Sequence, residues 1–96
     1  MMTKLLKLVR PIVKKELEEA NKNFPMFHSS HEAYATLKEE IEEAGEELTD
    51  TESLLGYFWL QVKDDDKNSD KLRTLNELKE TAILCACESI QAAAMA

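Results

Sequence analysis

The sequence predicts an all-α protein: an antiparallel four-helix bundle-like protomer that oligomerises through its helices. Three observations carry this. The chain has only two Gly and two Pro in 96 residues, too few breakers for a sheet of short strands. Apolar residues recur at intervals of three and four in separate stretches, the period of a helix face. Two of these stretches follow a Ser or Thr with Glu three residues on, the pattern of a capping box. A chain of this length forms one domain by default, here residues 1–96. It buries a modest share of its surface alone, so partner subunits would help.

The first helix is expected over about residues 3–22, where Leu5, Val9, Ile12, Val13, Leu17 and Ala20 share a face. Pro11 either kinks this helix or marks its start, because its ring removes a backbone donor. "NKNFPMFHSS" ends it, with Pro25 disfavouring helical geometry at Phe24.

The second helix is expected over about 30–47, opened by a capping box of Ser29 and Glu32. Tyr34, Leu37, Ile41, Ala44 and Leu48 form a narrow seam suited to another helix. The third is expected over about 51–64, with Thr49 and Glu52 as a second capping box. Its apolar face is Leu54, Leu55, Phe58, Trp59 and Val62. Tyr57, Phe58 and Trp59 read as core, and Gly56 hints at a close helix crossing.

"KDDDKNSDK" is a solvated loop, and a fourth helix starts near Ser69 or Asp70. Leu72, Leu75 and Leu78 point inward in its first half. From Thr81 it is apolar almost all round and should be covered on more than one side, by a second subunit. It continues to the last residues, where no Gly or other stop signal stands, so its end is expected to fray or the natural chain to continue past Ala96.

The net charge is −7 and unevenly spread. Lys4, Lys7, Arg10, Lys14 and Lys15 crowd the first 15 residues, whereas residues 32–52 hold nine acids and only Lys38. That acidic tract repels a nucleic-acid polymer and attracts a divalent cation. Cys85 and Cys87 point about 200° apart on a helix, so they form no mutual disulfide and share no zinc. They read as small core residues, in keeping with a cytoplasmic protein. "MMTKLLKLVRPIV" is broken by Lys7, Arg10 and Pro11 and is no signal peptide. The C-terminal apolar run is too short to span a bilayer.

The residues that suggest chemistry are acids. At 100° per residue, Glu40, Glu43 and Glu47 fall within about 60° of one another beside the seam, while Glu39, Glu42 and Glu46 face water. Lys38 can pair with Glu42 and leaves the Glu40 flank to solvent, as an ordinary acidic face, to a basic residue of another helix, or to a metal ion. Glu88 is the sharper signal, because "ILCACESIQAAAMA" surrounds it with small and apolar side chains. An unpaired carboxylate there costs several kcal/mol. It must be protonated, hydrogen-bonded, paired or bound to a cation. Gln91, one turn on, adds a neutral oxygen. If the last helix packs on the Glu40 flank, Glu40, Glu43, Glu88 and Gln91 converge as hard oxygen ligands suited to Mg²⁺ or Mn²⁺. A salt bridge across the bundle or a subunit interface is the alternative. His28 and His31 offer a zinc pair, a phosphate contact at a helix N-terminus, or simple capping.

"FHSSHEAYATLKEEIEEAGEEL" followed by "CESIQAAAMA" resembles the MazG-like all-α nucleoside triphosphate pyrophosphohydrolases, especially the small phage and prophage members. The family's first motif, a Glu pair, two spacers and a further Glu, matches Glu39, Glu40 and Glu43. Its second, Glu-x-x-Asp, matches Glu88 to Gln91, with Gln in place of Asp. The resemblance implies Mg²⁺-dependent hydrolysis of a nucleoside triphosphate to the monophosphate and pyrophosphate, with water attacking the α-phosphorus. It implies Glu40, Glu43, Glu88 and Gln91 as metal ligands, with Glu39 supporting them from behind or orienting water. His31 and Lys38 are the substrate-binding candidates, and a homodimer or homotetramer the assembly. Gln91 is the departure: the site works with fewer charges, Glu47 substitutes, or activity is lost. In the last case the chain is a non-catalytic helical oligomerisation or regulatory module.

Overall fold

The computed structural model describes residues 2–23 and 29–96. They form three helices, α1 (Met2–Asn23), α2 (Ser30–Lys63) and α3 (Asn68–Met95), with no strand among them. The expected helix ending around Phe24 and Pro25, and His28 with its zinc pairing, lie outside the described residues. Pro11 sits inside α1, so it does not start the helix. It simply offers no N–H to the Lys7 carbonyl.

The structure has three helices rather than four, because the two expected over 30–47 and 51–64 are one. Ser29 caps α2 as expected, accepting the Glu32 N–H at 3.1 Å. Thr49 does not cap a new helix. Its hydroxyl donates back to the Gly45 carbonyl at 3.0 Å, and that of Thr51 reaches Glu47 O at 2.8 Å. Hydroxyls that bond back one turn sit within a helix, and no Gly or Pro interrupts residues 46–55. The result is a 34-residue rod, about 51 Å long at 1.5 Å per residue.

A turn at residues 64–67 folds α3 back antiparallel on α2. Asp64 N–H donates to Leu60 O at 2.9 Å and Asp66 N–H to Gln61 O at 3.0 Å, closing the helix end. Asp65 takes a left-handed φ of 52°. The α2–α3 register is fixed by cross-helix bonds. Gln61 Nε2 reaches Asp70 O at 3.4 Å, the Thr51 and Thr81 hydroxyls lie 2.8 Å apart, and Cys85 Sγ donates to Ala44 O at 3.4 Å. α1 packs on α3 and not on α2, so α3 is the central helix. The second cover expected for α3 comes partly from the chain's own first helix. No helix among the described residues is long and apolar enough to cross a membrane.

The interior is polar and small. Gln61, Thr74 and Ala94 are the buried residues among those described. Half-buried positions of α2 run Ala33, Thr36, Glu40, Glu43, Glu47, Thr51, Leu54 and Phe58, at intervals of three and four. The expected seam is therefore misplaced: Leu37 and Ala44 lie at its edge, while Tyr34, Ile41 and Leu48 are exposed. Leu55, Tyr57, Trp59 and Val62 also face out, as do Leu72 and Leu75, against the inward reading of each. Cys87 is exposed and Cys85 half-buried. A Cβ added at Gly56 would meet no other side chain or helix within 4 Å, so the residue marks no crossing within the protomer. The accessible surface is 7746 Å², against about 5,600 Å² for a compact monomer of this mass.

Candidate metal centre

Glu40 and Glu43 stand one helical turn apart on the face of α2 turned toward α3. The register that sets Thr51 against Thr81 and Ala44 against Cys85 carries Glu88 to the level of Glu43. One carboxylate oxygen from each of Glu40, Glu43 and Glu88 then lies within 4.8 Å of the other two, and all three residues are half-buried. The groups sit in two separate helices held by an antiparallel hairpin, so the cluster comes from tertiary structure and not from helix spacing alone.

Like charges this close disfavour ionisation. Glu43 is held above the ordinary carboxyl value of 4.5, first by its hydrogen bond with Glu88, then by burial and by the Glu88, Glu39 and Glu46 charges. Glu40 is raised as well, by burial first and then by the charges of Glu43 and Glu39. Ion pairs among the described residues join Lys22 to Glu19 and Lys38 to Glu42, so neither brings a basic partner to the three. Three hard oxygen donors without an internal cation match the ligand chemistry of Mg²⁺ or Mn²⁺ and not that of a soft metal.

The remaining sequence candidates are distributed differently. Gln91 follows one turn beyond Glu88, but its Nε2 donates to Glu16 Oε2 at 2.9 Å. That bond ties α1 to the end of α3 beside the cluster. Glu39 is exposed next to Glu40 and acts on the cluster through its charge. Lys38 is exposed and 3.7 Å from Glu42. His31 is exposed in the first turn of α2, about 13 Å along the helix from Glu40. Glu47 is half-buried one turn beyond Glu43 and outside the cluster. A broad depression of about 500 Å³, lined by Glu42, Gly45, Glu46, Thr49 and Asp50, lies along another side of α2.

Glu16 is the residue that sequence reasoning missed. Its signal was present: it falls on the same α1 stripe as Val9, Val13 and Ala20, an acid on an apolar face, as Glu88 is. Comparison with family models, with curated proteins and with solved structures found no match to the chain.

Proposed function

We propose that the protein is a divalent-cation-dependent nucleoside triphosphate pyrophosphohydrolase of the MazG-like kind. The observation that carries this reading is the convergence of Glu40, Glu43 and Glu88 from two helices to within 4.8 Å. The motif resemblance supplies the reaction class. Glu40, Glu43 and Glu88 would hold Mg²⁺ or Mn²⁺, and the ion would offset phosphate charge and orient the displacement. The reaction adds water to the α-phosphorus and breaks its bond to the oxygen bridging to the β-phosphorus, releasing pyrophosphate. Glu39, exposed beside Glu40, would orient that water from the solvent side.

The test is pyrophosphate release across a panel of ribo- and deoxyribonucleoside triphosphates with Mg²⁺. Release from at least one substrate, lost in Glu40→Gln and in Glu88→Gln, is the expected result. Silence across the panel with folded protein rejects the reading.

One observation favours a second reading, a helical module without chemistry. Gln91, which stands where the family has Asp, is engaged by Glu16, and an amide binds Mg²⁺ less strongly than a carboxylate. In that case Mg²⁺ or Mn²⁺ with a nucleotide analogue produces no thermal shift. A shift abolished by Glu43→Ala excludes it.

A further inference from the structure

We infer that the outer apolar stripe of α2 is the interface with a second copy of this chain, the two α2 helices lying antiparallel about Leu48. Tyr34, Ile41, Leu48, Leu55 and Val62 are spaced every seven residues along α2. They are 68%, 61%, 50%, 58% and 42% exposed. A strict seven-residue repeat of large apolar side chains keeps one line along a helix and supercoils against a like helix. The stripe runs about 42 Å from Tyr34 to Val62. It is separate from the face that meets α3, whose half-buried positions include Ala33, Glu40, Glu47, Leu54 and Phe58.

Area argues for a stable partner. The protomer exposes 7746 Å², roughly 2,100 Å² above a compact monomer of equal mass. A standard interface removes about 800 Å² per partner, so the excess alone exceeds what a lasting dimer needs. The described protomer also has one buried apolar residue, Ala94. None of its larger apolar side chains is fully buried.

Symmetry and charge argue for a second copy in one orientation. The stripe is centred on Leu48, so a two-fold axis there sets Tyr34 against the partner's Val62 and Ile41 against the partner's Leu55. Such a surface is complementary to itself. Nine of the acids lie in residues 32–52, whereas residues 53–62 carry no charge at all. A parallel pair would set acidic tract against acidic tract. The antiparallel pair lays Glu39, Glu40, Glu42 and Glu43 along the partner's uncharged residues 53–62 and leaves Glu46, Glu47, Asp50 and Glu52 near the axis, so it lowers that repulsion.

The experiment takes the full chain at micromolar concentration. Sedimentation equilibrium is expected to give about twice the 10.9 kDa protomer mass, and Leu48→Glu to raise the dissociation constant at least about 100-fold, since two carboxylates would be buried at the axis. Should Leu48→Glu fail to fold, cysteine pairing decides, in a Cys85→Ser, Cys87→Ser background. Leu48→Cys is then expected to cross-link between chains on oxidation, as is Tyr34→Cys combined with Val62→Cys, whereas Tyr34→Cys alone is not. A monomeric wild-type chain, a dimer untouched by Leu48→Glu, or cross-linking by Tyr34→Cys alone overturns the proposal. None of these readings depends on nucleotide hydrolysis.

Discussion

A carboxylate oxygen of Glu43 lies within 4.8 Å of one of Glu88 across the α2–α3 interface. Contact with Glu88, burial and the charges of Glu88, Glu39 and Glu46 hold Glu43 above the ordinary carboxyl value of 4.5, so without a cation it keeps its proton to higher pH than an isolated glutamate. A divalent ion held there would relieve the same repulsion.

The first prediction follows from the sign of this effect. Glu40 and Glu43 titrate above 4.5 when folded, so between that value and their raised values the folded chain binds more protons than the unfolded one. Stability then falls as pH rises through this window and is regained on acidification. Thermal melts without metal should give a higher Tm near pH 4.5 than at pH 7. Glu43→Gln should flatten that slope, and Mg²⁺ should raise Tm at pH 7 more than at the lower pH. A slope of opposite sign in the wild type, or one unchanged by Glu43→Gln, counts against a raised Glu43.

Gln91→Asp tests the one departure from the motif that the chain resembles. The substitution removes the amide that donates to Glu16 at 2.9 Å and sets a fourth carboxylate beside it. The metal-free protein should lose about 1–2 kcal/mol of stability, and Mg²⁺ should bind more tightly. Adding Glu16→Gln should recover much of the lost stability. Calorimetric melts with a metal titration check both halves.

How far the sequence reveals this architecture differs from element to element. The helices follow from three-and-four spacing, and the Ser29 cap from its own motif. The continuity of α2 through Thr49 is illegible, because Thr-x-x-Glu fits a cap and also fits a hydroxyl that bonds back to Gly45. Periodicity tells which residues share a face but not which face meets which helix. That is why Tyr34, Ile41 and Leu48 read as the inner seam although the acidic flank turns toward α3. Glu88 is legible because a lone acid among small apolar residues requires a partner. Glu16 escapes because its meaning depends on where α1 docks, and docking is set by tertiary contacts.

Asp65 is a local test of the hairpin turn. Its φ of 52° is costly for a residue with a Cβ. Asp65→Gly should stabilise the fold by about 0.5–1 kcal/mol, net of glycine's greater freedom when unfolded. For a domain of this size that is a Tm rise of about 2–8 °C.

Gln61 tests the polar interior. It is 3% exposed, its Oε1 has no hydrogen-bond partner, and its Nε2 makes one long bond to Asp70 O at 3.4 Å. Asp70 O also accepts from the Thr74 hydroxyl at 3.3 Å. Gln61→Leu should therefore stabilise the hairpin by about 1 kcal/mol, read from urea denaturation. A loss of similar size would mean that this side chain is better satisfied than its surroundings indicate.

The central claim is that Glu40, Glu43 and Glu88 together hold one divalent cation. Mn²⁺ binding followed by electron paramagnetic resonance tests it without any reaction. The account predicts saturable binding of one Mn²⁺ per chain, competed by Mg²⁺, lost in Glu40→Gln, Glu43→Gln and Glu88→Gln, and kept in Glu46→Gln. Absence of saturable binding to the folded protein, or binding that survives all three substitutions, would contradict it.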